Sequence, residues 1–151
     1  MPHLHEHIDF TVEVFVVFNG KVLLRKHDKY GIWLGVGGHI EENEDPNETA
    51  IREVKEEVGL TVELLDTRVY KGVGEVVQLI APVSVNRHRI SDTHEHVSFV
   101  YFAKANGNEV IPESPTDEWK WCTKKDVDEM PYLQDQVAFY AKKAIDSLTS
   151  I

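Results

Sequence analysis

The stretch "GHIEENEDPNETAIREVKEEVGL", Gly38 to Leu60, decides the reading of this chain. Its second half has the marks of an amphipathic helix. Asp45 can serve as N-cap, Pro46 is preorganised for the first helical position, and Glu48 lies at capping-box spacing from Asp45. Gly59 supplies the stop. On a helical wheel Ala50, Ile51, Val54 and Val58 fall within about 100° of one another, and Glu53, Glu56 and Glu57 fill the adjoining arc. Two of those glutamates sit in the last turn, where the helix dipole is negative and favours cations instead. Carboxylates ~4–6 Å apart repel by about 1 kcal/mol per pair in water, and by several times more where sheltered. A solvated face eased by the Glu48–Arg52 spacing and by Lys55 is one account. A bound divalent cation is the other, since hard Mg²⁺ prefers carboxylate oxygen and works beside phosphate.

Outward from this helix the chain reads as strands. "TVEVFVVF" and "KVLLRK", joined by Asn19-Gly20, form a hairpin between Thr11 and Lys26. A polar turn and a short glycine-rich strand, "IWLGVGG", lead into the helix. Downstream, "TVELL", "VVQLIAPVSV" (Val76 to Val85), "VSFVYFAKA" and "EWKWC" are predicted strands. In "LQDQVAFYAKKAIDSL" the residues Val137, Tyr140, Ala141, Ala144, Ile145 and Leu148 recur at helical spacing, which predicts a closing helix docked on the core. Strands interspersed with two helices predict an α/β fold, a mixed sheet covered by helices. A single domain over residues 1–151 is expected, with no repeat or linker.

Composition narrows the function. The chain has 151 residues and a net charge of −10, which argues against duplex nucleic acid as a partner, because phosphate contacts need a basic surface. An acidic protein that binds a phosphate ester must neutralise it locally, through a few cations or a metal. No apolar run is long enough to span a membrane and no leader pattern occurs, so a soluble, cytoplasmic protein is expected. The single Cys122 suits a reducing compartment and a buried packing role.

From Gly38, five residues lead to Glu44 and seven more to Arg52-Glu53-Val54; Glu56-Glu57 and Gly59-Leu60 close the pattern. This resembles the Nudix box, G-x5-E-x7-R-E-U-x-E-E-x-G-U with U aliphatic, met at every specified position. The resemblance implies an α/β/α sandwich. It also implies Mg²⁺- or Mn²⁺-dependent hydrolysis of a nucleoside diphosphate linked to another moiety, by water attack on phosphorus. By the same resemblance Glu53, Glu56 and Glu57 hold metal, Arg52 orients a glutamate through an ion pair, and Gly38 and Glu44 shape the loop, with Gly37 and Gly38 beside the substrate. Gly35-Val36 stand where members often have Leu-Pro, and Asn43 where a glycine often stands; these departures touch the loop, not the carboxylates.

Outside the box, Glu95 is a candidate general base, with Glu56 or Glu57 as the alternatives. Arg25 is a candidate phosphate contact, against the commoner fate of a surface arginine. Trp33, Trp119 and Trp121 read most simply as core or rim packing. The triplets His5-Glu6-His7 and His94-Glu95-His96 put alternating histidines on one side of a strand and raise zinc, although incidental histidines are the simpler account. Glu75 and Val77 occupy the neighbourhoods where ADP-ribose and dinucleoside polyphosphate hydrolases carry a proline or a tyrosine. That leaves nucleoside triphosphates or modified nucleotides ahead as the small-molecule substrate, and a homodimer is compatible with the sequence. The rival class is a Nudix-fold module that binds a nucleotide without cleaving it.

Overall fold

Residues 7–27 and 31–149 are described by the computed structural model. The first hairpin forms as expected, with β1 (Ile8–Phe18) and β2 (Lys21–Lys26) joined through Asn19 and Gly20, both at positive φ, 48° and 75°. These are the angles a type I′ turn demands. The chain continues through β3 (Trp33–Leu34), β4 (Val36–His39) and α1 (Pro46–Val58), then β5 (Val62–Leu64), β6 (Ser84–Ser91), β7 (His94–Ala105), β8 (Trp119–Cys122), α2 (Lys124–Glu129) and α3 (Asp135–Thr149).

Among the described residues, all eight strands join one mixed sheet. β1 and β7 run parallel at its centre, from Ile8 beside Glu95 to Val17 beside Lys104, and the remaining pairings are antiparallel. β1 changes partner along its length: residues 11–14 pair with β4, while Val17 and Phe18 pair with β2. This fork brings the loop before α1 and the end of β2 onto the same flank of β1.

Side-chain alternation along β1 builds two cores. Val12, Val14 and Val16 face α1, packing with Ala50, Val54 and Val58. Phe15 and Val17 face α3 and pack with Val137, Ala141, Ala144, Ile145 and Leu148. Val54 and Val58, at 0% and 1% exposure, each contribute roughly 1.5–3 kcal/mol by burial and hold the acidic helix to the sheet. The caps of α1 are those the sequence predicts. Asp45 accepts from the Glu48 amide at 2.9 Å, Glu48 accepts from the Asp45 amide at 3.1 Å, and Gly59, at φ 71°, donates to the Lys55 carbonyl.

Two expectations need correction. The run Val76 to Val85 is not a strand; only its last two residues enter β6, which continues to Ser91 through polar residues. Pro82 has no amide to give a ladder. Asn47 of α1 takes the backbone instead, accepting from the Ile80 amide at 2.8 Å and donating to the Ile80 carbonyl at 2.9 Å. There is also an additional helix, α2, capped by a reciprocal Thr123–Asp126 box.

Candidate active site

Arg52 is the hub of the acidic face. Its Nε and Nη2 donate to the two carboxylate oxygens of Glu44 at 2.6 and 2.9 Å, a bidentate pair. Its Nη1 reaches Glu53 at 2.9 Å and Glu56 at 3.1 Å, and Nη2 also donates to the carbonyl of His39 at 3.2 Å. The arginine thus ties α1 to the loop and to the end of β4. Glu44 accepts in addition from the Thr49 hydroxyl at 2.6 Å, and the Arg52 pair holds its carboxyl well down, at about 2.

Glu57 lies deeper. Its Oε1 accepts from the Gly37 amide at 3.0 Å and its Oε2 meets Arg25 Nη1 at 2.7 Å. Arg25 in turn reaches Asp117 at 3.3 Å. Burial pushes the Glu57 carboxyl up to about 7 against the pull of Arg25, with the charges of Glu53 and Glu113 adding to the rise. Burial outweighs the ion pair, so in the metal-free site this group can exchange a proton near neutrality. Glu53 is likewise raised, first by burial and then against the pull of Arg52, with Glu56 and Glu113 contributing. Its carboxylate lies directly beneath Gly38. A Cβ on Gly38 would sit 2.5 Å from the Glu53 Cδ, so the glycine is there to give the carboxylate room. Glu56 is the solvent-facing member, its side chain 53% exposed.

This donor set fits a hard dication. Crowded oxygen ligands, two of them partly desolvated and destabilised by one another's charge, are relieved when a divalent cation enters.

Of the residues proposed from sequence, Arg52, Glu53, Glu56, Glu57, Gly37, Gly38 and Arg25 are brought together. Arg25 reaches a box glutamate, Glu57, and also Asp117. Glu95 stands apart: Arg87 holds it by two bonds, at 3.0 and 2.6 Å, and among the described residues no contact joins it to the box. Arg87 also keeps its carboxyl below the usual range, which makes it a weak base. Sequence reasoning missed Glu113 and Asp117. They enter through the loop before β8, whose Glu113 amide donates to the Glu57 carbonyl at 3.0 Å, and nothing in local spacing marks them. Trp121 packs against the α1-side core and Trp33 against the α3-side core, both half-buried, while Trp119 is exposed. His5 and Glu6 of the first histidine triplet lie outside the described residues. His94 and His96 turn toward Asp9.

With this geometry in place, comparison with known proteins is informative. The NUDIX domain family model matches residues 9–145, and the chain belongs to that family. A NUDIX-family hydrolase from Clostridium perfringens is 37% identical and superimposes with a TM-score of 0.86, covering 96% of this chain and 99% of its own. The MutT NUDIX hydrolase of Burkholderia pseudomallei, 21% identical, covers 95% of this chain and 99% of its own at a TM-score of 0.64, a likeness of fold alone. The CTP pyrophosphohydrolase of Escherichia coli K12 is 26% identical over 114 residues, 71% of this chain and 84% of that protein. Mycobacterium tuberculosis proteins named as 8-oxo-dGTP diphosphatase 3 are 28% identical over 101 residues. That match spans 67% of this chain but only 42% of their length. Among the described residues no helix is long and apolar enough to cross a membrane.

Proposed function

We propose that the protein is a divalent-cation-dependent pyrophosphohydrolase that splits the phosphoanhydride of a nucleoside triphosphate or modified nucleotide by attack of water on phosphorus. The observation that carries this reading is the double hold on the box. One guanidinium, Arg52, positions Glu44, Glu53 and Glu56, and another, Arg25, positions Glu57 against the Gly37 amide.

Glu53, Glu56 and Glu57 would hold Mg²⁺ or Mn²⁺, and Glu44 acts through Arg52. When bound, the ion offsets charge on the phosphate oxygens and acidifies a water. Arg52 fixes the approach of Glu53 and Glu56, so neither has to order itself on substrate binding. The proton of the attacking water would pass to Glu56 or Glu57, ahead of Glu95, which Arg87 holds by two bonds away from the box. The relatives named for CTP and 8-oxo-dGTP support the triphosphate class.

The test is a panel of nucleoside triphosphates and modified nucleotides, read by coupled phosphate release during a Mg²⁺ titration, with thermal midpoints measured in parallel. The expected result is saturable, cation-dependent turnover of at least one member and a midpoint that rises with Mg²⁺. A rising midpoint with every substrate left intact would instead favour the silent binding module. A midpoint indifferent to Mg²⁺, without turnover, would return the acidic face to mere solvation.

A further inference from the structure

On the opposite face of the sheet from the acidic helix lies a second cluster that the hydrolase reading does not use. β-alternation puts Asp9 on the side of Phe15 and Val17, facing away from α1. The parallel register sets His96 beside Asp9, and the antiparallel register sets His88 beside His96. His94 projects from the same face as His96, two residues along β7. Asp9, His94 and His96 each offer a ligand atom, and these atoms lie within 4.8 Å of one another. From β4, His39 points to this face as well, because it pairs with Thr11.

The geometry points to a transition-metal site, which we infer to take zinc on Asp9, His94 and His96, with His39, outside that trio but 3.3 Å from Asp9, turning in to complete the ligand set. Three observations support it. Asp9 is a carboxylate only 2% exposed at the start of a central strand, so its charge needs a specific partner. One and the same oxygen, Oδ2, is met by His94 Nε2 at 3.1 Å and by His39 Nε2 at 3.3 Å. In a tetrahedral zinc site with bonds of about 2.0–2.2 Å, neighbouring ligand atoms stand roughly 3.3–3.6 Å apart, so these spacings need little adjustment to accept an ion. The rings also gather around a centre instead of dispersing: His39, His94 and His88 have ring centroids 5.2, 5.3 and 5.7 Å from His96.

The donor types separate this site from the box. Imidazole with one carboxylate suits zinc and its neighbours in the Irving–Williams order, whereas an all-carboxylate set suits magnesium. The ligands come from β1, β4 and β7, so an ion would staple the two central parallel strands to the strand that carries the paired glycines. Gly38 and His39 are adjacent and face opposite sides of the sheet. The box and the histidine cluster therefore meet across one peptide unit of β4.

The experiment uses the whole chain, purified without a histidine tag or chelator, mixed with a small excess of zinc, desalted and assayed for metal by mass spectrometry. About one equivalent should remain on the wild type and on Glu56→Gln, which disables the box but not the cluster. His94→Gln combined with His96→Gln should retain less than about a tenth of that. Asp9→Asn serves as a second variant, since it keeps the size and polarity of the strand position. Zinc should raise the thermal midpoint of the wild type and leave that of His94→Gln/His96→Gln unmoved while Mg²⁺ still shifts both. Cobalt substitution adds a spectroscopic readout, because a four-coordinate site gives intense visible absorption. Wild-type protein that emerges from desalting without zinc would overturn the inference, as would stoichiometric zinc that persists in the folded double variant.

Discussion

Gly37 and Gly38 are neighbours, yet alanine at each should fail in a different way. At Gly38 the added Cβ meets the Glu53 carboxylate, 2.5 Å from Cδ and 2.8 Å from Oε2, and nothing else within those distances belongs to the backbone. Ordinary contact lies near 3.5 Å, so the carboxylate must withdraw by about 1 Å. It can do so cheaply in folding terms, as the far end of a side chain, but it leaves the position that Arg52 fixes at 2.9 Å. A displacement of about 1 Å in a catalytic group costs on the order of 10²-fold in rate, or about 2.7 kcal/mol of barrier. At Gly37 the Cβ instead falls on the Val12 carbonyl, with the carbonyl carbon at 3.0 Å and the Glu13 Cα at 3.2 Å. There the β1–β4 ladder has to part, at about 3 kcal/mol or more. Gly38→Ala should therefore keep its thermal midpoint within about 4 °C of wild type and lose about 10²-fold in kcat, whereas Gly37→Ala should lose about 8 °C or more. The measurements are calorimetry and steady-state rates on whichever nucleotide turns over best. A folded Gly38→Ala protein with kcat within about threefold of wild type would refute the placement of Glu53 at the chemistry.

Glu95→Gln should retain a near-wild-type rate in the same assay, and a loss of about 10²-fold or more would reinstate it as the base. Glu44, held at about 2 against an ordinary 4.5, contributes stability that is complete above pH 4.5 and lost as pH falls toward 2; Glu44→Gln should flatten that acid limb in a pH series of denaturant melts. Glu13 has the opposite sign, since burial raises its carboxyl while the Gly35 amide at 3.0 Å opposes the rise. Its stabilising contribution is full below pH 4.5 and declines as pH climbs through the raised value, so Glu13→Gln should stabilise the protein at neutral pH and not at pH 4. Asn47→Ala removes both bonds to Ile80 and the one to the Tyr101 hydroxyl at 3.1 Å, and should speed amide exchange at Ile80 with little change in β1 or β7.

What was legible in the sequence is what is settled within a few residues. The I′ turn at Asn19-Gly20 and the caps of α1 need no distant partner to define them and occur as read, whereas of the apolar stripe only Ala50, Val54 and Val58 are buried and Ile51 stays 44% exposed. The strands that were misplaced are those whose identity depends on pairing. β6 is polar on most positions, and it is a strand because its backbone finds β7 from Val100 back to His94. The more apolar run before it, Val76 to Val83, stays irregular and leaves Val76 64% and Val77 75% exposed. Hydrophobicity marked the wrong stretch, because Asn47 and Pro82 settle where the ladder begins. The histidine cluster was half visible: the alternation His94, His96 can be read along one strand, but Asp9 and His39 join it only through sheet register.

The site itself raises a question of charge that the fold answers only in part. Arg52 contacts Glu44, Glu53 and Glu56, and Arg25 contacts Glu57. Four carboxylates thus share two guanidiniums, and Arg25 is itself shared with Asp117. The shortfall among these six side chains is two charges, and Glu113 adds to it through its effect on Glu53 and Glu57. Two further arginines could have closed that gap, but they would have filled the space and fixed the charge. A dication supplies the same two charges, keeps water in its coordination shell, and can be shared with a phosphate. Burial first, and the neighbouring carboxylates after it, raise the carboxyls of Glu53 and Glu57. On the proposed function, a helix whose last turn opposes its own dipole is accounted for by the cation it would receive.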